Sequence, residues 1–223
     1  MKSMGDVRHA AALQRFFKTA PGEYGAGDRF LGIRLPVLHR LAHDYQQLPR
    51  REVSALLGSP WHEERLLALL ILVRQYARGD TRTRNAIFRL YLRHTARINN
   101  WDLVDCSAAQ IVGAHLQEGD RRVLRELARS KLVWRRRIAV IATGHYIRRG
   151  EFRDTLTIAR MLLDDHHDLV HKAVGWMLRE VGKRDRPTEE AFLRRHARRM
   201  PRTMLRYAIE RFPEKVRQAY LAA

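Results

Sequence analysis

Cysteine is nearly missing. The single thiol, Cys106, cannot close an internal disulfide, so burial rather than cross-linking must hold the fold. It sits among apolar residues and reads as a small hydrophobe. Acid is scarce too: 24 Asp and Glu face 43 Lys and Arg, a net charge of +19. That imbalance argues against a near-neutral metabolic enzyme and points to a polyanionic partner, nucleic acid ahead of an anionic membrane. A coding bias toward Arg is the competing explanation. Long apolar runs are also absent. The longest, Leu66 to Val73, falls far short of the roughly 20 residues that span a bilayer. Nothing resembles a signal peptide. The expectation is a soluble protein of the cytoplasm or nucleoid.

What is present is helical periodicity nearly throughout. A first amphipathic helix covers about residues 6–18. The stretch 19–34 then carries four glycines and a proline, which forbid a stable helix. A loop this long is either functional or disordered. It has no Walker or dinucleotide spacing. Beyond it, apolar helices open at Trp61, Trp101, Trp134 and His167, and each runs toward a glycine: Gly79, Gly119, Gly150 and Gly182. More polar helices lie between them, and two further helices, about 201–211 and 213–223, finish the chain. An apolar helix alternating with a polar one every 33 to 40 residues or so predicts an all-α, HEAT- or armadillo-type solenoid. No linker interrupts it, so one domain spanning 1–223 is expected.

Each apolar helix carries a charged residue at nearly the same offset: Arg65, Asp105, Arg137 and Lys172. Stacked repeats would line these along one concave surface, basic except at Asp105, with Arg136 and Arg179 adding to it. The bland alternative is a set of solvated helix starts with snorkelling stems. Aromatic interleaving favours a groove: Trp101, Trp134 and Trp176 recur on the same helices, Trp134 being the most core-like. A basic groove without an inserted recognition helix suits recognition of DNA backbone and shape. His167 and His171 share a helix face but lack a third ligand, so no metal and no cofactor are expected. No nucleophile elbow occurs.

The most informative stretch is Asn99-Asn100-Trp101-Asp102-Leu103-Val104-Asp105. The Asn pair caps a helix and Asp102 sits in its first turn. Trp101 and Asp105, four residues apart, share a face. This stretch, Phe30 to Pro36, Arg137 after Trp134, and Lys172-Ala173-Val174-Gly175-Trp176-Met177-Leu178-Arg179-Glu180 resemble the DNA alkylation repair family of HEAT-like repeat proteins, the AlkD-type alkylpurine DNA glycosylases. The resemblance implies that Trp101, Asp105 and Trp176 contact the lesion deoxyribose, with Asp105 catalytic. It also implies that Arg137 contacts the DNA backbone, and the basic ladder of Arg65, Arg136, Lys172 and Arg179 would join it there. AlkD-type enzymes carry an extra N-terminal helix whose aromatic contacts DNA near the lesion. In this chain the Gly-rich loop stands in that place, with Tyr24 as the candidate substitute, as in a branch lacking that helix. Asp168 and Leu169 replace the family's aromatic pair before the Lys.

The chemistry fits these residues independently of the resemblance. Cleaving an N-glycosidic bond passes through an oxocarbenium-like sugar, which a fixed carboxylate stabilises. An N3- or N7-alkylated purine is already cationic and leaves without protonation, so one carboxylate suffices. Indole faces favour the growing positive charge. No base pocket is evident. The expected function is therefore hydrolysis of cationic alkylpurines from duplex DNA by a monomer. The alternatives are a non-catalytic solenoid that binds distorted or branched DNA, and a protein-interaction scaffold.

Overall fold

The computed structural model describes residues 1–222; the expectation that the last helix reaches Ala223 lies, at that residue, outside the described residues. The described chain is helical, with one isolated bridge, between Arg29 and Trp61, as its only extended pairing. It forms two compact units, 1–111 and 112–223. Their boundary falls inside the helical segment Ala109–Gly113, with no linker.

The N-terminal unit contains α1 (Val7–Phe16), α2 (Leu35–Asp44), α3 (Arg50–Leu57), α4 (His62–Arg78), α5 (Thr81–Arg93) and α6 (Trp101–Asp105). Helix α4 is its centre and packs against α2, α3, α5 and α6. Leu66, Leu67, Leu69, Leu70, Ile71 and Leu72 are all buried. Each such side chain contributes about 1.5–3 kcal/mol on leaving water. The run Leu66–Leu72 is apolar on every side of the helix, which places this part of α4 in the core.

The glycine-rich loop is ordered. Glu63, buried at the start of α4, accepts the backbone N–H groups of Leu31 (2.9 Å), Gly32 (2.8 Å) and Ile33 (3.3 Å). Gly32 has φ +82°, and a Cβ there would strike the Asp6 carbonyl. That close approach seats α1 on the loop: the Asp6 N–H donates to Leu31 O (3.0 Å), and His9 Nδ1 lies 2.8 Å from Gly32 O. Asp6 itself caps α1 through the N–H groups of Arg8 and His9.

Helix α6 is shorter than its pattern predicts. The expected helix from Trp101 to Gly119 breaks after Asp105 and resumes as the π-helical turn Ala109–Gly113. Ser107 is the cause: its hydroxyl donates to Leu103 O (2.6 Å) and lies 2.9 Å from the hydroxyl of buried Tyr91. A side chain bonded into the preceding turn competes with the backbone ladder.

The C-terminal unit contains α7 (Arg122–Ala128), α8 (Val133–Ala142), α9 (Gly144–Ile147), α10 (Arg153–Met161), α11 (Asp168–Gly182), α12 (Arg186–His196), α13 (Arg202–Ala208) and α14 (Glu214–Ala222). Helix α11 is its centre, against α8, α10, α12 and α13. Gly175 allows α11 and α13 to approach closely, since a Cβ there would meet Met204 O and Tyr207 Cβ. Trp134, the most core-like of the three interleaved indoles, is buried. No helix among the described residues is long and apolar enough to cross a membrane.

Candidate functional site

The corner of the N-terminal unit around α6 gathers buried charge and aromatic rings. Asn100 caps α6 by accepting the Trp101 N–H (2.8 Å). This cap fixes where the Trp101 indole and the Asp102 carboxylate emerge. Two consecutive phenylalanines at the end of α1 meet the indole. Phe17 stacks on it at 5.3 Å, and Phe16, 63% exposed, meets it edge-on at 5.9 Å. Phe17 also stacks on Phe30 of the loop (5.2 Å), and Phe30 on His62 (4.5 Å). Offset and edge contacts of this kind add about 0.5–1.5 kcal/mol each beyond area burial, so the indole is held rather than loose.

Beneath the rings runs a chain of charges. His62 is buried, its Nδ1 3.1 Å from Asp28 Oδ2 and its Nε2 2.7 Å from Asp102 Oδ2. Arg65 donates to Asp28 (2.5 Å) and to Ser59 O (3.0 Å). The amides of Asn99 and Asn100 also point at Asp28, at 3.2 and 3.4 Å. Burial disfavours the imidazolium, but the carboxylates of Asp102 and Asp28 outweigh it and raise His62 from 6.5 to about 9. Burial likewise works against the Asp28 carboxylate, but His62 and Arg65 hold it below the ordinary range. At neutral pH the chain therefore reads carboxylate, imidazolium, carboxylate, and both ring N–H groups are engaged.

An apolar cavity of about 410 Å³ lies against this corner, lined among others by Phe17, Phe30, Leu66, Trp101, Asp102 and Cys106. The Cys106 thiol, half-buried rather than fully buried, is pushed up by its apolar surroundings and by the two aspartates of α6. Sequence reasoning missed this cavity, because its walls come from segments far apart in the chain. It also missed Asp28, His62 and Phe16. The legible signal was a cluster of polar residues, His62-Glu63-Glu64-Arg65, directly before the apolar run Leu66–Val73.

Of the expected site residues, Trp101 and Asp105 lie on one helix, both half-buried, Trp101 on the cavity wall and Asp105 at the C-terminal end of α6. Tyr24 is half-buried within the loop. In the C-terminal unit the Trp176 indole is half-buried and donates to Glu180 (3.2 Å), while Lys172 pairs with Asp168 (2.7 Å). Arg136 pairs with Asp165 (2.5 Å), and Arg179 with Glu210.

Two expectations need correction. Arg65 and Arg137, expected on a DNA-facing surface, are 2% and 4% exposed. Arg65 is committed to Asp28 and Ser59, and Arg137 donates to Leu169 O. A buried guanidinium must be bonded internally, which removes it from a solvent-side phosphate.

A family model described as DNA alkylation repair enzyme matches residues 1–212. No curated protein matches the chain. Among solved structures, a predicted DNA alkylation repair enzyme from Enterococcus faecalis superposes with a TM-score of 0.72. It shares 14% identity and covers 95% of this chain and 98% of its own. At that identity the likeness is one of fold.

Proposed function

We propose, from the premise that this chain belongs to the DNA alkylation repair enzyme family, that it hydrolyses the N-glycosidic bond of cationic N3- or N7-alkylated purines in duplex DNA. The observation that carries this reading is that Trp101 and Asp105, both half-buried, lie one turn apart on α6 with the indole held by Phe16 and Phe17. Asp102 is bonded to protonated His62 and its charge is spent. Asp105, one turn from the clamped indole of Trp101, is the carboxylate assigned to the sugar.

In this reading the deoxyribose of the lesion lies on Trp101, with Phe16 as a further exposed ring for the DNA. Positive charge grows on C1′ and O4′ as the glycosidic bond breaks, and Asp105 stabilises it. The indole face adds a cation–π contribution, on the order of 1 kcal/mol at a partly exposed site. Asp105 then orients water toward C1′. The leaving purine needs no proton because alkylation has already made it cationic. His62 is no substitute acid, since both its N–H groups are held by carboxylates. Trp176 and Lys172 are proposed as further DNA contacts of their own unit, and the basic groove of a repeat stack belongs to the same proposal.

The test is release of 7-alkylguanine or 3-alkyladenine from alkylated duplex, with binding measured in parallel. Asp105→Asn should lower release by at least a hundredfold and leave DNA affinity within a few-fold, since a donor or charge aimed at the transition state is worth about that much. Release at the wild-type rate would remove Asp105 from the mechanism.

A further inference from the structure

A second feature of the N-terminal unit lies away from the aromatic corner and shares no lining residue with it. Helix α5 contains no acidic residue. Arg82, Ala86, Arg89 and Arg93 fall at i, i+4, i+7 and i+11 and so form one stripe along it. Facing them from α3 are Arg50, Arg51 and Ser54. Between the two helices run two adjoining hollows of about 400 and 690 Å³ that share Arg50, Ala86 and Arg89. Ala86 keeps the floor low, and Ser54 Oγ, 3.4 Å from His94 Nε2, ties α3 to the end of α5.

The charges here are exposed and lack acid between them. Arg50, Arg51, Arg82, Arg89 and Arg93 are all solvent-facing. The acids at hand are Glu52, bonded to Arg51 (2.9 Å), and Asp80, whose carboxylate caps α5 through the Thr83 N–H (2.8 Å). A solvated helix face usually mixes signs or pairs them at i,i+4; this one does neither. The stripe from Arg82 to Arg93 is about 16 Å long at 1.5 Å per residue. Over that length one strand of a duplex presents roughly five phosphates.

We infer that the α3–α5 trough is a second phosphate-binding surface, one that grips duplex DNA backbone outside the aromatic site. Guanidinium groups suit it, because each offers paired N–H donors to phosphate oxygens. Free phosphate and an anionic headgroup share that chemistry, but a linear stripe matches a linear polyanion. The inference rests on the reading that DNA is the partner, and it is independent of the glycosidic step.

The experiment is the salt dependence of binding to an unmodified duplex, for the wild type, for R82Q/R89Q/R93Q, for R50Q on the facing helix, and for the charge-matched control R129Q/R153Q/R198Q. Loss of three phosphate contacts lowers the slope of log affinity against log salt by about 2 to 3, and loss of one by about 1. The trough variants should show those decreases beyond any change in the control. A decrease no larger than the control's overturns the inference, because only bulk charge would then be at work. An unchanged slope with lost binding to phosphatidylserine vesicles overturns it in favour of a membrane. If the wild type releases no base while the trough variants still lose slope, the glycosylase reading fails and this surface stands.

Discussion

Two buried acids, one in each unit, behave in opposite ways. Asp28 is packed beneath the loop, and His62, Arg65, Asn99 and Asn100 all turn donors toward it, so it stays charged. Glu189 on α12 is equally buried against Gly182, and its Oε1 has no hydrogen-bond partner; burial pushes its carboxyl up to about 8. Burial of a carboxyl group is thus neutral information. Convergent cations decide whether it is a fixed anion or a proton carrier. In the N-terminal unit that convergence is extended outward, through His62, to Asp102 on the cavity wall.

The comparison breaks most visibly at His62. His62→Ala leaves Asp28 short of a partner and should destabilise the protein by about 3–5 kcal/mol, as removing one member of a buried ion pair does. Chemical denaturation at pH 7 measures it, and a loss below about 1 kcal/mol would show that Asp28 does not depend on the imidazole.

The pH profile comes next. The folded-state pKa of His62 is raised from 6.5 to about 9. Its stabilisation is therefore complete below about pH 6.5, declines as pH rises, and is gone above about 9. The amount at stake is on the order of 3 kcal/mol. Wild type should lose that stability across this window, and His62→Ala should show a correspondingly smaller loss. Parallel profiles for the two proteins would contradict the assignment.

The third test is at the other acid, which among the described residues carries no ion pair to break. Glu189 titrates in the folded state near 8 instead of 4.5, so its favourable proton is lost as pH rises through that range. Glu189→Gln should be neutral at pH 4 and raise stability by on the order of 4 kcal/mol at pH 8. A loss at pH 8 would mean that the carboxylate has an internal cation after all.

The sequence made some of this legible and some not, for physical reasons. The apolar run Leu66–Val73 could only be a core helix, and Trp134 read as the most core-like of the three interleaved indoles. The Asn100 cap and the start of α6 follow from side-chain chemistry within one turn. What was hidden is long-range. Glu63 orders a glycine-rich loop some thirty residues upstream, so the loop's order has no local signature. Arg65 and Arg137 share an offset within their helices, but the offset gives a position along a helix and not the direction it faces. The break at Ser107 depends on a hydroxyl that bonds both the preceding turn and Tyr91. The arginine stripe of α5 is present in the sequence, and its spacing becomes a trough only when α3 supplies the facing wall.

The charge state of the leaving group tests the account most directly. Base release should be measured from matched duplexes carrying 7-methylguanine or uracil at the same position. In the proposed mechanism, where Asp105 acts as a carboxylate and His62 has no free N–H, the cationic purine is expected to be released and uracil to remain at the uncatalysed level. Release of uracil at a comparable rate would contradict the account, because it would require a proton donor that this arrangement of charges does not supply.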